Sequence, residues 1–227
     1  MKKNIFIFMT AVLSILLLEA ACSGGLSARN EAAGRLFKIR NMQTSAPLDP
    51  ERPDTGPRIN LELSLLEASG PDGVKDFFTA LLYDGLDFAE YEQAILAEYR
   101  ETYREIGEET PESGFQPLDW LYAEQMELQS LSGRWLVIGR RLETFTGGVH
   151  GMSYKPFYVV DRKDLRSLSW EEFFTDPQGP ELRRLILTAL REQSGLDEKA
   201  PLSSGIYFDD EPDLTDNFFL HREGMGF

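Results

Sequence analysis

Cysteine and histidine are scarce in this chain. Its 227 residues include one cysteine, Cys22, and two histidines, His150 and His221. A single cysteine excludes an internal disulfide. Structural zinc sites take four clustered Cys or His ligands, and the chain has too few of them for such a site. The sequence therefore predicts neither a metal site nor a bound cofactor.

Positive charge is also in short supply. Lysine and arginine number 23 against 38 aspartates and glutamates, which gives a formal net charge of −15 at pH 7. This balance argues against binding to nucleic acid or to an anionic lipid surface, because both attract basic proteins. It permits fast, salt-sensitive capture of a basic partner. Net negative charge also serves simply to keep an exported protein soluble.

The long apolar run of the chain lies near its N-terminus. A basic pair precedes residues 5–18, which are too few to span a bilayer and match the core of a secretory signal peptide. Cys22 follows two alanines and precedes a Ser-Gly-Gly tract, as in a bacterial lipoprotein cleavage site, although Glu19 departs from that pattern. Residues 1–22 are thus predicted to be a signal peptide ending in a lipidation site. The protein would be exported and anchored in the cell envelope through Cys22; the alternative is an ordinary signal peptide cut near Ala21.

Residues 23–57 are predicted to form a flexible tether. Small and polar residues dominate this segment, and four prolines between residues 47 and 57 interrupt regular structure. Residues 31–42 could form a transient helix or a strand. The tether would hold the folded part of the protein away from the membrane.

Hydrophobic periodicity predicts an α+β lobe over residues 58–163. Apolar and polar residues alternate from 58 to 67, which indicates a half-buried strand. Apolar residues then recur every three or four positions over 74–83 and 88–106, as in two amphipathic helices. Alternation returns in three further segments, 120–131, 135–145 and 154–161. Strands joined by short links predict an antiparallel meander sheet with the helices packed on one face.

The solvent side of the second predicted helix is acidic. The residues that form this side are Glu98, Glu101, Glu105 and Glu108. Glu101 and Glu105 are one turn apart with no basic residue expected between them, so like charges stack. The surface is either an ordinary solvated helix face or a docking face for a cationic protein, which dense negative charge would steer.

A glycine-rich loop follows the 135–145 segment, and its sequence is Thr146, Gly147, Gly148, Val149, His150, Gly151. An aromatic strand with Tyr154, Phe157 and Tyr158 comes next and ends in Asp161. In this order the motifs resemble RsiV-like envelope proteins, which include a lysozyme-sensing anti-sigma factor and the non-catalytic region of a peptidoglycan deacetylase. The resemblance implies an extracellular binding domain. Its partner would be a basic protein such as a lysozyme-like muramidase, or peptidoglycan.

Residues 164–227 are predicted to form a smaller C-terminal lobe of the same RsiV-like kind. It would hold a helix over 179–193 and a hairpin formed by 217–221 and 226–227. Leu165 stands where the family prefers a turn glycine, so the geometry of that turn is an open question. The family's chain continues with more strands, so this helix-and-strand lobe is expected to be incomplete.

Catalytic chemistry has little support in the sequence. His150 and Ser153 supply two members of a catalytic set, but a nucleophile needs a base and an orienting acid together. The acidic segment 209–216 lacks the glycine and glutamate that an EF-hand loop requires. The sequence therefore favours a non-catalytic binding module. The alternative is a peptidoglycan-modifying hydrolase or deacetylase that uses the His150 loop.

Overall fold

The computed structural model describes residues 36–109, 118–148, 150–174, 176, 179–205, 215–221 and 224–226, apart from the side chains of residues 107–109. The predicted signal peptide, Cys22 and the tether up to residue 35 lie outside these ranges, as does most of the acidic segment 209–216. Within the described ranges, no helix is long and apolar enough to cross a membrane.

A seven-stranded mixed sheet organises the described part of the chain. Its strands are β1 (Phe37–Pro47), β2 (Arg58–Ala68), β3 (Trp120–Leu131), β4 (Trp135–Phe145), β5 (Met152–Tyr154), β6 (Phe157–Asp161) and β7 (Arg166–Ser167). Their order is β1-β2-β3-β4-β6-β7, and β5 pairs with the half of β4 that β6 leaves free. The predicted α+β fold is confirmed, and β3, β4 and β6 form the predicted antiparallel meander.

One pair of neighbours, β2 and β3, is parallel rather than antiparallel. Between them the chain forms α1 (Asp72–Tyr83) and α2 (Phe88–Glu109). A parallel pair needs a crossover connection of about a dozen residues or more, usually helical, and these two helices supply it. Hydrophobic periodicity identifies both helices, but it does not reveal the direction in which the chain re-enters the sheet.

The predicted tether through residue 57 is wrong for its second half. Residues 37–47 form β1, which pairs with all of β2 in antiparallel register. Leu48, in the turn that follows, is only 1% exposed, so this segment belongs to the core. The prolines permit the strand because Pro47 closes it and the other three lie in the turn. The alternation in β1 is weak because most of its side chains are exposed.

Both α1 and α2 pack on one face of the sheet, as predicted, and bury an extensive apolar cluster there. The aromatic stripe of α2 belongs to this cluster. The Tyr99 ring, for example, packs edge-on against Trp120 and Tyr122, with ring centroids 5.9 and 5.6 Å apart. The stripe therefore fixes α2 over β3.

The C-terminal segment covers part of the opposite face of the same sheet. Its elements are a short 3-10 turn (Trp170–Glu172), α3 (Pro180–Gln193), β8 (Phe219–His221) and β9 (Gly224–Gly226). Trp170 and Phe218 are buried against Val137 of β4 and Val159 of β6. Their neighbours Leu136, Ile138 and Val160 belong to the helix-side cluster. The predicted boundary between residues 163 and 164 therefore does not separate two cores, because alternate residues of the same strands serve both.

The β8–β9 hairpin is tied to the sheet by side-chain hydrogen bonds. Asn217 Oδ1 accepts the N–H of Phe157 at 2.7 Å, and its Nδ2 donates to the carbonyl of Lys155 at 3.0 Å. Ser130 Oγ donates to the carbonyl of Leu220 at 2.8 Å. These hydrogen bonds hold the hairpin against β3 and the start of β6.

A buried aspartate anchors the turn after β6. Arg134 Nε donates to Asp161 Oδ2 at 3.0 Å, and the N–H of Lys163 donates to Oδ1 at 3.0 Å. Burial alone would raise the pKa of Asp161, but these hydrogen bonds and the charge of Arg134 hold it below its ordinary value. Leu165 adopts a φ of 48°. The turn thus has the left-handed geometry that glycine would favour, despite the leucine side chain.

Candidate functional site

The loop 146–151 reverses the chain between β4 and β5, and Thr144 pairs with Met152 at its base. Gly147 is buried and has a φ of 79°, which glycine adopts at little cost. A Cβ atom on Gly151 would lie 2.8 Å from the carbonyl oxygen of Thr144. These two glycines are therefore explained by the turn itself. The exposed residues of the loop are Thr146, Gly148, His150 and Gly151, and Val149 lies outside the described residues.

His150 lies at the surface of this loop. Ser153, the nucleophile of the alternative hypothesis, lies on β5 in register with Glu143. Within the described ranges, no hydrogen bond joins His150 to Ser153 or to a carboxylate, and no group of three His, Cys, Asp or Glu side chains is placed to hold a metal ion. The structure thus brings the predicted loop residues together without assembling them into a catalytic set.

Three of the four predicted acidic residues are exposed on α2, namely Glu98, Glu101 and Glu105. The side chain of Glu108 lies outside the described part of the chain. One expectation is corrected, because Glu101 forms an ion pair with Arg104 and is not an unpaired charge. Glu98 and Glu105 are about two turns apart and lie on the same flank of the helix.

That flank faces β4 and β5. Arg100 points the other way, since its Nε donates to the carbonyl of Pro47 at the end of β1. Tyr99, next to Glu98, hydrogen-bonds with Thr144 of β4. Burial first, and the negative charge of Glu98 second, raise the pKa of Tyr99 to about 12. The acidic flank of α2 is therefore close to the strand that follows the glycine loop.

Two large apolar side chains are exposed on β5. Met152 is 70% exposed and Tyr154 is 56% exposed. They pair with Thr144 and Leu142 of β4, which places them on the helix-covered face of the sheet, beyond the part that α2 buries. We name the residues Glu98, Glu101, Glu105, Met152 and Tyr154 the α2–β5 surface. It combines an aromatic and a thioether side chain with carboxylates.

A buried polar cluster lies beneath this surface and holds α2 against β3 and β4. Glu124 Oε2 accepts hydrogen bonds from the hydroxyls of Tyr91 and Tyr122, each at 2.8 Å. Arg140 Nε lies 3.0 Å from Glu124 Oε1, and Arg140 also donates to the hydroxyl of Tyr158 at 3.2 Å. The side chain of Glu124 is 0% exposed. Its charge is thus neutralised and hydrogen-bonded inside the core, as a buried carboxylate must be.

The cluster shifts the pKa values of its members in the directions expected for a buried ion pair. Burial first, and the negative charge of Glu124 second, raise the pKa of both Tyr91 and Tyr122. Burial would lower the pKa of Arg140, but the Glu124 carboxylate outweighs it and raises that pKa. The tyrosines therefore stay protonated donors and Arg140 stays charged, which keeps the cluster intact at physiological pH.

Comparisons with known proteins address the fold. No protein-family model matches the sequence, and no curated protein matches it. The structure is similar to the crystal structure of a DUF3298 family member from Bacteroides fragilis, with a TM-score of 0.60, 20% identity, and coverage of 83% of this chain and 81% of that one. A DUF3298 family protein from Pseudomonas aeruginosa gives a TM-score of 0.40 at 19% identity, over 74% of this chain and 72% of that one. The chain therefore shares the α+β fold of the Bacteroides fragilis protein.

Proposed function

We propose that this protein is an exported cell-envelope binding module, anchored to a bacterial membrane by a lipid on Cys22. It captures a basic protein such as a lysozyme-like muramidase, and peptidoglycan is the second candidate ligand. The observation that carries the proposal is the α2–β5 surface, in which Met152 and Tyr154 stand exposed beside the acidic flank of α2. The glycine-rich loop 146–151, which resembles that of RsiV-like proteins, leads directly into β5, the strand that carries Met152 and Tyr154.

The apolar and the acidic side chains of the α2–β5 surface contribute differently to binding a basic protein. Large exposed apolar side chains rimmed by polar residues are typical of protein interaction sites, and a tyrosine is a frequent energetic centre of an interface. The carboxylates steer a cationic partner and raise the association rate. Because screening acts over about 8 Å at physiological ionic strength, this steering should weaken as salt is added.

Binding kinetics can separate the contribution of the carboxylates from that of the apolar side chains. Reversal of Glu98, Glu101 and Glu105 to lysine should lower the association rate for hen-type lysozyme by about ten-fold or more at low salt. Tyr154→Ala should leave the association rate near that of the wild type and accelerate dissociation, by roughly 30-fold if Tyr154 is a hot spot worth about 2 kcal/mol. Surface plasmon resonance across a salt series measures both rates.

The matched control is a triple reversal of equal charge elsewhere on the surface, Glu51, Asp54 and Glu198 to lysine, since all three are exposed. It should retain most of the association rate. Cytochrome c tests whether any cationic protein suffices. Equal losses in the two triple variants, or equal binding of lysozyme and cytochrome c, would reduce the surface to a solvated face. Binding to peptidoglycan sacculi without binding to lysozyme would favour the cell wall as the ligand.

The enzyme alternative is tested by His150→Ala. A binding module should keep its affinity for lysozyme in this variant, because His150 lies on the loop and outside the α2–β5 surface. A hydrolase or deacetylase that uses this histidine would instead lose its release of sugar or acetate from peptidoglycan.

Anchoring depends on Cys22 alone. If this residue is acylated, the wild-type protein should partition into the detergent phase of a phase-separating extraction, and Cys22→Ala should move to the aqueous phase, since acyl chains contribute about 0.8 kcal/mol per buried methylene. Equal partitioning of the two forms would leave the protein exported without a lipid anchor.

A further inference from the structure

A groove of about 580 Å³ crosses the sheet face opposite α1 and α2. The polar side chains at its lining come from four adjacent strands: Asn41, Gln43, Glu62, Ser64, Gln125, Arg141 and Glu143. The C-terminal layer packs on β4 and β6 and covers only one corner of this face. The groove thus lies on a part of the sheet that the described chain leaves open.

Strand register builds the groove from two parallel rows of side chains. Gln43, Glu62, Ala123 and Glu143 are successive partners across β1 to β4 and form one row. The second row consists of Asn41, Ser64, Gln125 and Arg141. The small side chain of Ala123 lies between the two glutamates, so the first row is low at its centre. Both rows run perpendicular to the strands.

The charged side chains in the groove differ in whether they have an ion-pair partner. Arg141 and Glu143 form an ion pair at 2.6 Å in which the arginine side chain remains 58% exposed. Glu62 is exposed and, within the described residues, has no ion-pair or hydrogen-bond partner. Neighbouring strands lie about 4.8 Å apart and the two rows about 6.6 Å apart, so Glu62 on β2 and Arg141 on β4 are separated diagonally by about 12 Å. The groove therefore offers a free carboxylate and an accessible guanidinium at that spacing.

We infer that this groove binds a short extended peptide with a free ammonium group at one end and a free carboxylate at the other. An extended chain advances about 3.3 Å per residue, so a tripeptide spans about 10 Å, and the long side chains of Glu62 and Arg141 cover the remaining distance of about 2 Å. Glu62 accepts from the ammonium, and Arg141 donates to the carboxylate. Gln125, on the strand between them, can both donate to and accept from the peptide backbone.

Charge favours this occupant over the other polar ligands that a sheet face could take. A neutral glycan leaves Glu62 without a counter-charge, and an anionic polymer is repelled by Glu62. The inference goes beyond the proposed function and does not depend on it, because the groove and the α2–β5 surface lie on opposite faces of the sheet. Each can fail while the other holds.

The test is a titration of the full chain with trialanine. Binding is monitored through the NMR chemical shifts of the backbone amides of β2 and β4. Acetylating the peptide's N-terminus should weaken binding about two- to five-fold, the range of an exposed charge pair. Glu62→Gln should weaken binding of free trialanine similarly, and acetylation should then have no further effect, because both changes remove the same interaction. Amidating the C-terminus of the peptide should weaken binding to the wild type in the same way, and it should have no further effect on binding to Arg141→Gln.

Glu198→Gln removes the same charge at an exposed position outside the groove and should bind trialanine as the wild type does. The proposal is overturned if trialanine moves no amide of β2 or β4. It is also overturned if terminal blocking and the matching substitution act additively, or if chitotriose binds the groove more tightly than trialanine.

Discussion

Replacing Arg140 with methionine should lower the free energy of unfolding by about 3 kcal/mol at pH 7, the lower end of the range for breaking a buried ion pair. The reason lies in Glu124, whose side chain is fully buried and lies 3.0 Å from Arg140 Nε. Without the guanidinium, Tyr91 and Tyr122 still donate to the carboxylate, but no positive charge compensates it. Chemical denaturation monitored by circular dichroism measures the loss.

A second substitution identifies the cause of that loss. Glu124→Gln in the Arg140→Met background removes the stranded charge and leaves an amide oxygen for the tyrosine hydroxyls, so most of the stability should return. Arg141→Met is the matched control, since its ion pair is exposed, and should change stability by less than about 0.5 kcal/mol. A deficit that Glu124→Gln does not relieve would mean that the arginine contributes only packing.

Hydrophobic periodicity in the sequence predicts the elements of this core well where only one face of an element is buried. The alternation in β3 and the aromatic stripe of α2 predicted these elements, because one face of each is packed and the other faces solvent. β1 is predicted only as part of the tether, with residues 31–42 open to a transient helix or a strand, because most of its side chains are exposed and carry little periodic signal. Its existence depends on pairing with β2, which is a tertiary effect.

The candidate site was predictable only in part. Exposed glutamates on one side of α2 follow from helix geometry, and Glu98 and Glu105 lie where that geometry puts them. The sequence pattern places Tyr154 in one strand with Phe157 and Tyr158, whereas the chain breaks at Pro156, so Met152 and Tyr154 lie on a separate strand, β5, and are exposed. The groove brings together residues 41 to 143 through strand register. Such register is fixed by long-range packing, which local sequence patterns do not encode.

Trp170→Ala should lower the free energy of unfolding by about 3–5 kcal/mol, as large-to-small changes at buried tryptophans do. Trp170 is 1% exposed and packs with Val137 and Val159, which belong to the strands that also carry the helix-side core. Because β4 and β6 serve both faces, the loss should be felt by the whole sheet. Trp170→Phe keeps an aromatic ring in the site and should cost less.

Amide hydrogen exchange decides whether the two faces unfold together. In Trp170→Ala, the amides of β2, which contact only the helix-side cluster, should lose the same protection free energy as those of β6. A domain boundary near residue 163 predicts otherwise: β2 would keep its wild-type protection while the segment after residue 164 exchanged freely. Joint loss is expected because detaching the C-terminal layer uncovers Val137 and Val159, so that β4 and β6, which also carry residues of the helix-side core, lose their packing on the other face.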